Sequence, residues 1–418
     1  MNAAAPLSPA VPKPAHVPDA VVYDFDVYRD PGLLTDPAKR IAELAREAPP
    51  IFWTPRNGGQ WIIRGYEALF NAYRDPETFS SQAMPPEMLK AMLASLPPGT
   101  PRIPQARPIN LDPPEHTKYR APLQKTFSPK SALALKDDIR KLADELIDKV
   151  APDGRCDFVP AIAEQLPVRV FLKLFGLPLE RQDEYRALAK EHLSNFSLDL
   201  QTTMRKQFRL VEVMRDTLIE RRDHPRDDII SMLWKAGVDG RPTTMEDMED
   251  YSVLLFIAGL DTVVNGASFV MLHLAGDFPL QDRLRANPKI IPEAVEEMLR
   301  RYTFTVPVRS VAKDVVYQGL PMKAGERVLM YDPAADMDPK QFKNPESYDL
   351  NREEKTHIAF GAGPHRCLGS HLARVELQII TEQMMSRLPQ FRLDPHKRPT
   401  FHGGHVIGPD SVALVWDV

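Results

Sequence analysis

The chain has 418 residues, 43% hydrophobic and 26% charged, a balance that supports a large buried core and excludes disorder over most of its length. Lys and Arg number 53 against 57 Asp and Glu, and the resulting charge of −4 gives no basis for nucleic-acid binding. Two cysteines, Cys156 and Cys367, are too few for a disulfide framework, a tetrathiolate zinc site or an iron–sulfur cluster, which points to a reducing, cytoplasmic setting.

Residues 1–30 are rich in proline and lack a basic start followed by an apolar run, so they predict a flexible tail that neither exports nor anchors the chain. Residues 31–418 read as a single domain. Apolar spacing predicts a helix over Pro37–Arg46, then strands Ile51–Trp53 and Trp61–Arg64 joined through Asn57-Gly58-Gly59. Seven prolines between 85 and 108 forbid continuous helix and predict a long functional loop. There Met84, Met88 and Met92, beside Leu89, Leu93 and Leu96, would supply a deformable apolar lid. Helical patterns follow over Glu115–Lys125, Pro129–Val150, Pro160–Leu174, Leu179–Ser194, Thr203–Arg222, Asp227–Trp234 and Thr244–Ala275.

The last of these is apolar enough to raise the question of a membrane span. Asp261 near its middle argues against one, since it would cost about 2.5–3.5 kcal/mol in a bilayer, and a helix buried on all sides reads the same way. Helices Ile291–Tyr302 and Ser370–Leu388 then flank strands Val306–Val311, Val315–Tyr317 and Arg327–Met330, and Val412–Trp416 closes the chain as a strand. This order predicts a mainly α fold with a small β component rather than an alternating βαβ fold.

Chemistry concentrates in two places. In Phe360-Gly-Ala-Gly-Pro-His-Arg-Cys367-Leu-Gly369, Gly361 and Gly363 permit sharp turns and Pro364 stiffens them. Cys367 then arrives where a helix begins and free N–H groups favour a thiolate, a suitable axial ligand for haem iron. Alternatively it is an inert buried thiol, or a hydrolase nucleophile with His365 as base. In Ala258-Gly259-Leu260-Asp261-Thr262, Gly259 would clear the backbone for a flat cofactor or dioxygen. The Thr262 hydroxyl can compete for the Ala258 carbonyl and open the helix. Read alone, Asp261 and Thr262 could equally be a packing pair, and Glu297 and Arg300 a simple i, i+3 ion pair.

The cysteine loop resembles the haem-binding loop of the cytochrome P450 family, matching at Phe360, Gly361, Gly363, Arg366, Cys367 and Gly369. The resemblance implies the P450 fold, with haem b between the central helix and the cysteine-loop helix and Cys367 on the iron. It implies a monooxygenase that inserts one atom of dioxygen into an unactivated C–H bond and reduces the other to water. Asp261 and Thr262 would then deliver protons, Glu297 and Arg300 would form a structural brace, and His116, Arg120, Arg309 and His365 would meet the propionates. A haem-thiolate sensor or carrier would share Cys367 without needing the acid–alcohol pair.

Trp53–Trp61, Gly259–Asn265 and Leu414–Asp417 are further similar to the bacterial camphor-hydroxylase branch. That branch implies electrons from a 2Fe–2S ferredoxin and its NAD(P)H-dependent reductase, consistent with the lack of a complete Gly-x-Gly-x-x-Gly loop here. Arg366, Lys118 and Lys125 would receive an acidic ferredoxin, and Leu254, Ile257, Thr305 and Val406 would face the substrate. Camphor enzymes hold the substrate ketone with a tyrosine in the proline-rich loop, but no aromatic residue stands between Met84 and Asn110. The expected substrate is therefore a compact terpenoid or norisoprenoid placed by packing rather than by one strong hydrogen bond.

Overall fold

The computed structural model of the protein describes residues 6–82, 90–91, 94, 99–194 and 200–418. The methionine–leucine series of the proline-rich loop, Met84 to Leu96, lies outside them. Helix dominates. After α1 (Pro37–Glu47), capped by Asp36 with Pro37 in its first turn, strands β1 (Ile51–Thr54) and β2 (Gln60–Ile63) pair antiparallel, Ile51 opposite Ile63. They form one edge of a five-stranded sheet completed by β3 (Phe79–Ser80), β5 (Val308–Val311) and β6 (Arg327–Met330), in the order β1-β2-β6-β5-β3. The C-terminal strand β8 (Ala413–Trp416) sits between β4 (Arg155–Asp157) and β7 (Phe391–Leu393), tying the end of the chain to its middle.

Helix α2 (Tyr66–Tyr73) follows β2, and α3 (Glu115–Gln124) follows the proline-rich loop. The helix expected over Pro129–Val150 is divided at Leu135 into α4 (Pro129–Ala134) and α5 (Lys136–Val150). The one expected over Pro160–Leu174 opens as a π turn, Val159–Ala163, before α6 (Leu166–Phe175). Next come α7 (Gln182–Ser194), α8 (Leu200–Asp223) and α9 (Ile229–Ala236).

The central apolar segment is also two helices: α10 (Met245–Leu260), started by a Thr244/Asp247 capping box, and α11 (Thr262–Leu274). Asp261, at φ −121°, separates them. Together they are long and apolar enough to span a bilayer, but 67% of that window is buried inside the protein. Helices α12 (Phe278–Ala286) and α13 (Ile291–Arg301) lead on to the short α14 (Asp332–Ala335) and to α15 (Ser370–Arg387). Helix α15 packs against α5, α11 and α13, and Leu274, Met298, Ile380 and Met384 fill their shared core.

The N-terminal segment departs from expectation. From Pro6 onward the tail is docked rather than flexible: Val17, Phe25 and Val27 are buried, and the Val11 N–H donates to the Pro55 carbonyl at 2.9 Å. His16 pairs with Glu326 at 2.8 Å, and the same carboxylate accepts the Trp61 indole N–H at 2.8 Å. Proline keeps this stretch extended, while its interspersed apolar side chains give it a surface to bury against the sheet.

Candidate active site

The cysteine loop is built by close backbone contacts. Gly361 and Gly363 both adopt positive φ, +64° and +66°, and a Cβ on Gly363 would lie 2.3 Å from the Tyr73 carbonyl oxygen at the end of α2. Pro364 sits inside the 3-10 turn Gly363–His365, and the Cys367 N–H closes the loop onto the Phe360 carbonyl at 2.9 Å. Cys367 is solvent-accessible yet surrounded by protein just before α15. Burial pushes its thiol up, against the opposing influence of the Gly369 N–H and the Arg120, Arg366 and Arg374 guanidiniums. The donors at the helix start therefore do not secure a thiolate by themselves. Metal coordination does, because a coordinating thiol is deprotonated outright.

Beside the loop, four residues from three elements converge. The rings of His116, on α3, and His365 lie 4.1 Å apart. His116 is buried with neither ring nitrogen bonded, whereas His365 meets the Ser81 hydroxyl at 2.9 Å. Burial and then Arg120 lower His116 to about 4, and burial and then Arg309 lower His365 to about 2. Both rings are thus neutral N–H donors in the protein itself. Arg309, on β5, is buried over the Tyr73 ring and donates only to the Val308 carbonyl; Arg120 donates to the Arg366 carbonyl. Among the described residues neither arginine makes an ion pair with a carboxylate, although the Asp332 and Asp112 carboxylates act on Arg309 from beyond contact distance. Two guanidiniums without ion pairs and an orphaned buried imidazole next to an accessible thiol fit haem b, which brings two carboxylates and an iron.

On α10 and α11 the acid–alcohol pair sits at the helix break. The Thr262 hydroxyl donates to the Ala258 carbonyl at 3.1 Å. Asn265, one turn on, donates its side-chain amide to the Asp261 carboxylate at 3.0 Å and to its carbonyl at 2.9 Å. Asn265 escaped the sequence reading as a partner, although its i+4 spacing signals it. Gly259 requires a correction. A Cβ there would stand 2.3 Å from the Phe171 ring of α6, so this glycine makes room for helix packing rather than for cofactor or dioxygen.

The residues expected to face substrate fall into two pairs. Leu254 and Ile257 lie three apart on α10, and Thr305 and Val406 face each other in an isolated antiparallel bridge. The Thr305 hydroxyl approaches the Asp332 carboxylate at 3.3 Å. Glu297 and Arg300 form a buried bidentate pair at 2.9 Å on α13. Arg352, which no sequence spacing indicated, completes a triad by donating to Glu297 at 3.0 and 3.2 Å. Lys118, one of the cations assigned to ferredoxin docking, is engaged by Glu115 at 2.7 Å and Asp239 at 3.1 Å.

A mainly α fold that sets a single accessible thiol beside two guanidiniums without carboxylate ion pairs and an orphaned buried imidazole defines a haem-thiolate protein. The sequence model of the Cytochrome P450 family matches residues 172–407. A probable cytochrome P450 127A1 of Sinorhizobium fredii is 34% identical over 415 residues, covering 97% of both chains. A steroid C26-monooxygenase of Mycolicibacterium smegmatis is 31% identical over 96% of both chains. Among solved structures, CYP101J2 superposes with a TM-score of 0.86 at 31% identity, covering 98% of this chain and 100% of that one. The chain belongs to the cytochrome P450 family: it is a haem b monooxygenase with the P450 fold.

Proposed function

We propose that the enzyme hydroxylates a compact, weakly polar terpenoid or norisoprenoid with electrons from a 2Fe–2S ferredoxin, in the cytoplasm. The observation that carries this reading is the likeness to CYP101J2 over nearly the whole of both chains, joined to an apolar set of expected wall residues. In the balanced reaction, R–H, dioxygen, two electrons and two protons give R–OH and water. Haem supplies the dioxygen-activating and C–H-oxidising chemistry when bound. Cys367 holds the iron, and His116, Arg120, Arg309 and His365 hold the propionates. Leu254, Ile257, Thr305 and Val406 position the substrate by packing. Three of these are apolar, and Thr305 has its hydroxyl turned to the fully buried Asp332, which leaves little to bind a polar group.

The break at Asp261 supports the proton path. With its hydroxyl on the Ala258 carbonyl, Thr262 occupies a bond that a continuous helix would give to a backbone N–H. Asp261 carries the exchangeable proton, and Asn265 fixes that carboxylate. Arg366, Lys118 and Lys125 receive the acidic ferredoxin. A steroid substrate is the second reading, favoured by the steroid monooxygenase among the relatives. Titrating the ferric enzyme with small terpenoids, norisoprenoids and steroids, and reading the shift to high spin, separates the two. The first reading expects the shift, and a hydroxylated product, from the small terpenoids. A shift from steroids alone overturns it.

A further inference from the structure

We propose that Gly408 is a positioning residue for the proton path: the side chain it lacks leaves the space in which the Asn265 amide turns to hold Asp261. This rests on the reading that Asp261 carries the proton.

Asn265 stands one turn after Asp261 on α11 and is buried. Its Nδ2 donates twice to Asp261, to the carbonyl at 2.9 Å and to the carboxylate at 3.0 Å. A side-chain amide is planar, so fixing Nδ2 also fixes where Oδ1 points. It points at Gly408, the first residue of the strand Gly408–Ser411, whose hairpin packs against α11. A Cβ on Gly408 would overlap Asn265 Oδ1 outright and lie 3.1 Å from His402 Cε1 on the opposite strand. Gly408 is not among the residues with positive φ, so its backbone would accept any L side chain. The glycine is there for space.

The backbones on both sides of the contact are tied down. Just before Gly408, the Ile407 N–H donates to the Phe304 carbonyl at 2.9 Å and the Val306 N–H to the His405 carbonyl at 2.8 Å. Just after the strand, the Val412 N–H donates to the Asp157 carboxylate at 3.0 Å, and the Val412 carbonyl accepts the Phe158 N–H at 2.9 Å. On α11, a Cβ on the neighbouring Gly266 would stand only 3.4 Å from the Phe304 ring and 3.5 Å from Leu377 of α15. In such a setting the movable part is the Asn265 amide, and rotating it withdraws Nδ2 from Asp261. Residues 406–408 thus back two functions at once: Val406, opposite Thr305, belongs to the expected substrate wall, and Gly408 supports the acid.

Full-length holoenzymes carrying Gly408→Ala, Asn265→Ala, both substitutions or Asp261→Asn test this, with hydrogen peroxide as oxidant and ABTS as electron donor. Each peroxide takes two electrons from two ABTS molecules and two protons to give two waters, and its O–O bond parts only when a proton reaches the departing oxygen. Gly408→Ala and Asn265→Ala should each consume peroxide about tenfold more slowly, with a larger rate ratio between water and heavy water. The double variant should be no slower than Asn265→Ala, because the added Cβ then has no amide to displace. If Gly408→Ala does not fold, a folded double variant supports the same displacement, and an unfolded one overturns it. A Gly408→Ala enzyme within about twofold of wild type in rate, with an unchanged isotope ratio, overturns the proposal, as does a double variant slower than either parent. The probe needs neither terpenoid nor ferredoxin, so a failed substrate screen leaves Gly408 its role. A slow Asp261→Asn beside a normal Gly408→Ala removes Gly408 and leaves the proton path standing, whereas a normal Asp261→Asn removes both.

Discussion

Replacing Glu297 by Gln isolates one buried charge without changing its size. Glu297 is 7% exposed, Arg300 1% and Arg352 6%, so the substitution leaves two buried guanidiniums facing a neutral amide. The arginines also bind backbone: Arg300 donates to the Asp336 and Pro345 carbonyls at 2.8 and 2.9 Å, and Arg352 to the Ser347 carbonyl at 2.8 Å. Those bonds hold the 336–352 stretch that precedes the cysteine loop. Removing one partner of a buried ion pair costs about 3–5 kcal/mol, because the charge left behind cannot recover its hydration. At about 2.1 cal/mol/K per residue, a chain of 418 residues has an unfolding entropy of about 0.9 kcal/mol/K, so the melting temperature should fall by about 3–6 °C. Glu43→Gln supplies the control: its longer, partly solvated contacts with Lys39 and Arg40, at 4.0 and 3.8 Å, should be worth less than 1 °C. Melts of the ferric holoenzymes, followed by the haem absorbance, compare the two directly. Equal shifts in both variants would refute the claim that the triad is a buried charge network rather than a set of independent packing contacts.

Gly259→Ala should destabilise by about 1–3 kcal/mol, since its Cβ would overlap the Phe171 ring, and Phe171→Leu in the same chain should recover part of that loss. Absence of recovery in thermal melts would show that the glycine serves something other than helix packing. Thr262→Ala should keep haem but divert electrons to hydrogen peroxide, read as peroxide against product per electron pair supplied; unchanged coupling removes Thr262 from the proton path. Burial alone would raise the Glu296 carboxyl, but His357 at 3.1 Å and Arg374 hold it at about 2 against an ordinary 4.5. A depressed carboxylate stabilises the fold above its unfolded value, and that stability is lost as pH falls from about 4.5 toward about 2. With Glu296 partly in solvent the contribution is about 1–2 kcal/mol, so the stability gap between wild type and Glu296→Gln should narrow between about pH 5 and about pH 3; a constant gap would refute it.

What the sequence made legible was what the chain settles within a few residues of itself. The turn glycines, Pro364 and Cys367 lie in one ten-residue string, and the Thr262 hydroxyl reaches a carbonyl only four positions back. Asn265 belongs to the same class and could have been read from its spacing to Asp261. Gly259 shows the limit of such reading. A missing Cβ announces a close approach but not what approaches, and here the answer is a ring on α6, 88 positions earlier in the chain (259 against 171). The N-terminal segment was obscured in another way: its prolines describe backbone shape, while Val17 and Phe25 decide whether that shape is buried.

Arg352 and Asp250 mark what remains hidden. An acid or a base at a given position on a helix has the same local signature whether it faces water or a partner from another part of the chain, so spacing cannot separate them. Only tertiary placement shows that the Glu297 carboxylate gathers two arginines and that Asp250 is the sole acid on its helix with no exposure at all. Both sites follow one rule: a carboxylate deep in the fold must be met by charge from elsewhere. In the triad that requirement fixes a segment permanently, because all three partners are buried. At Asp250 the partners, Arg102 and Arg107, keep about a third of their side chains in solvent, so the same requirement is met from the surface.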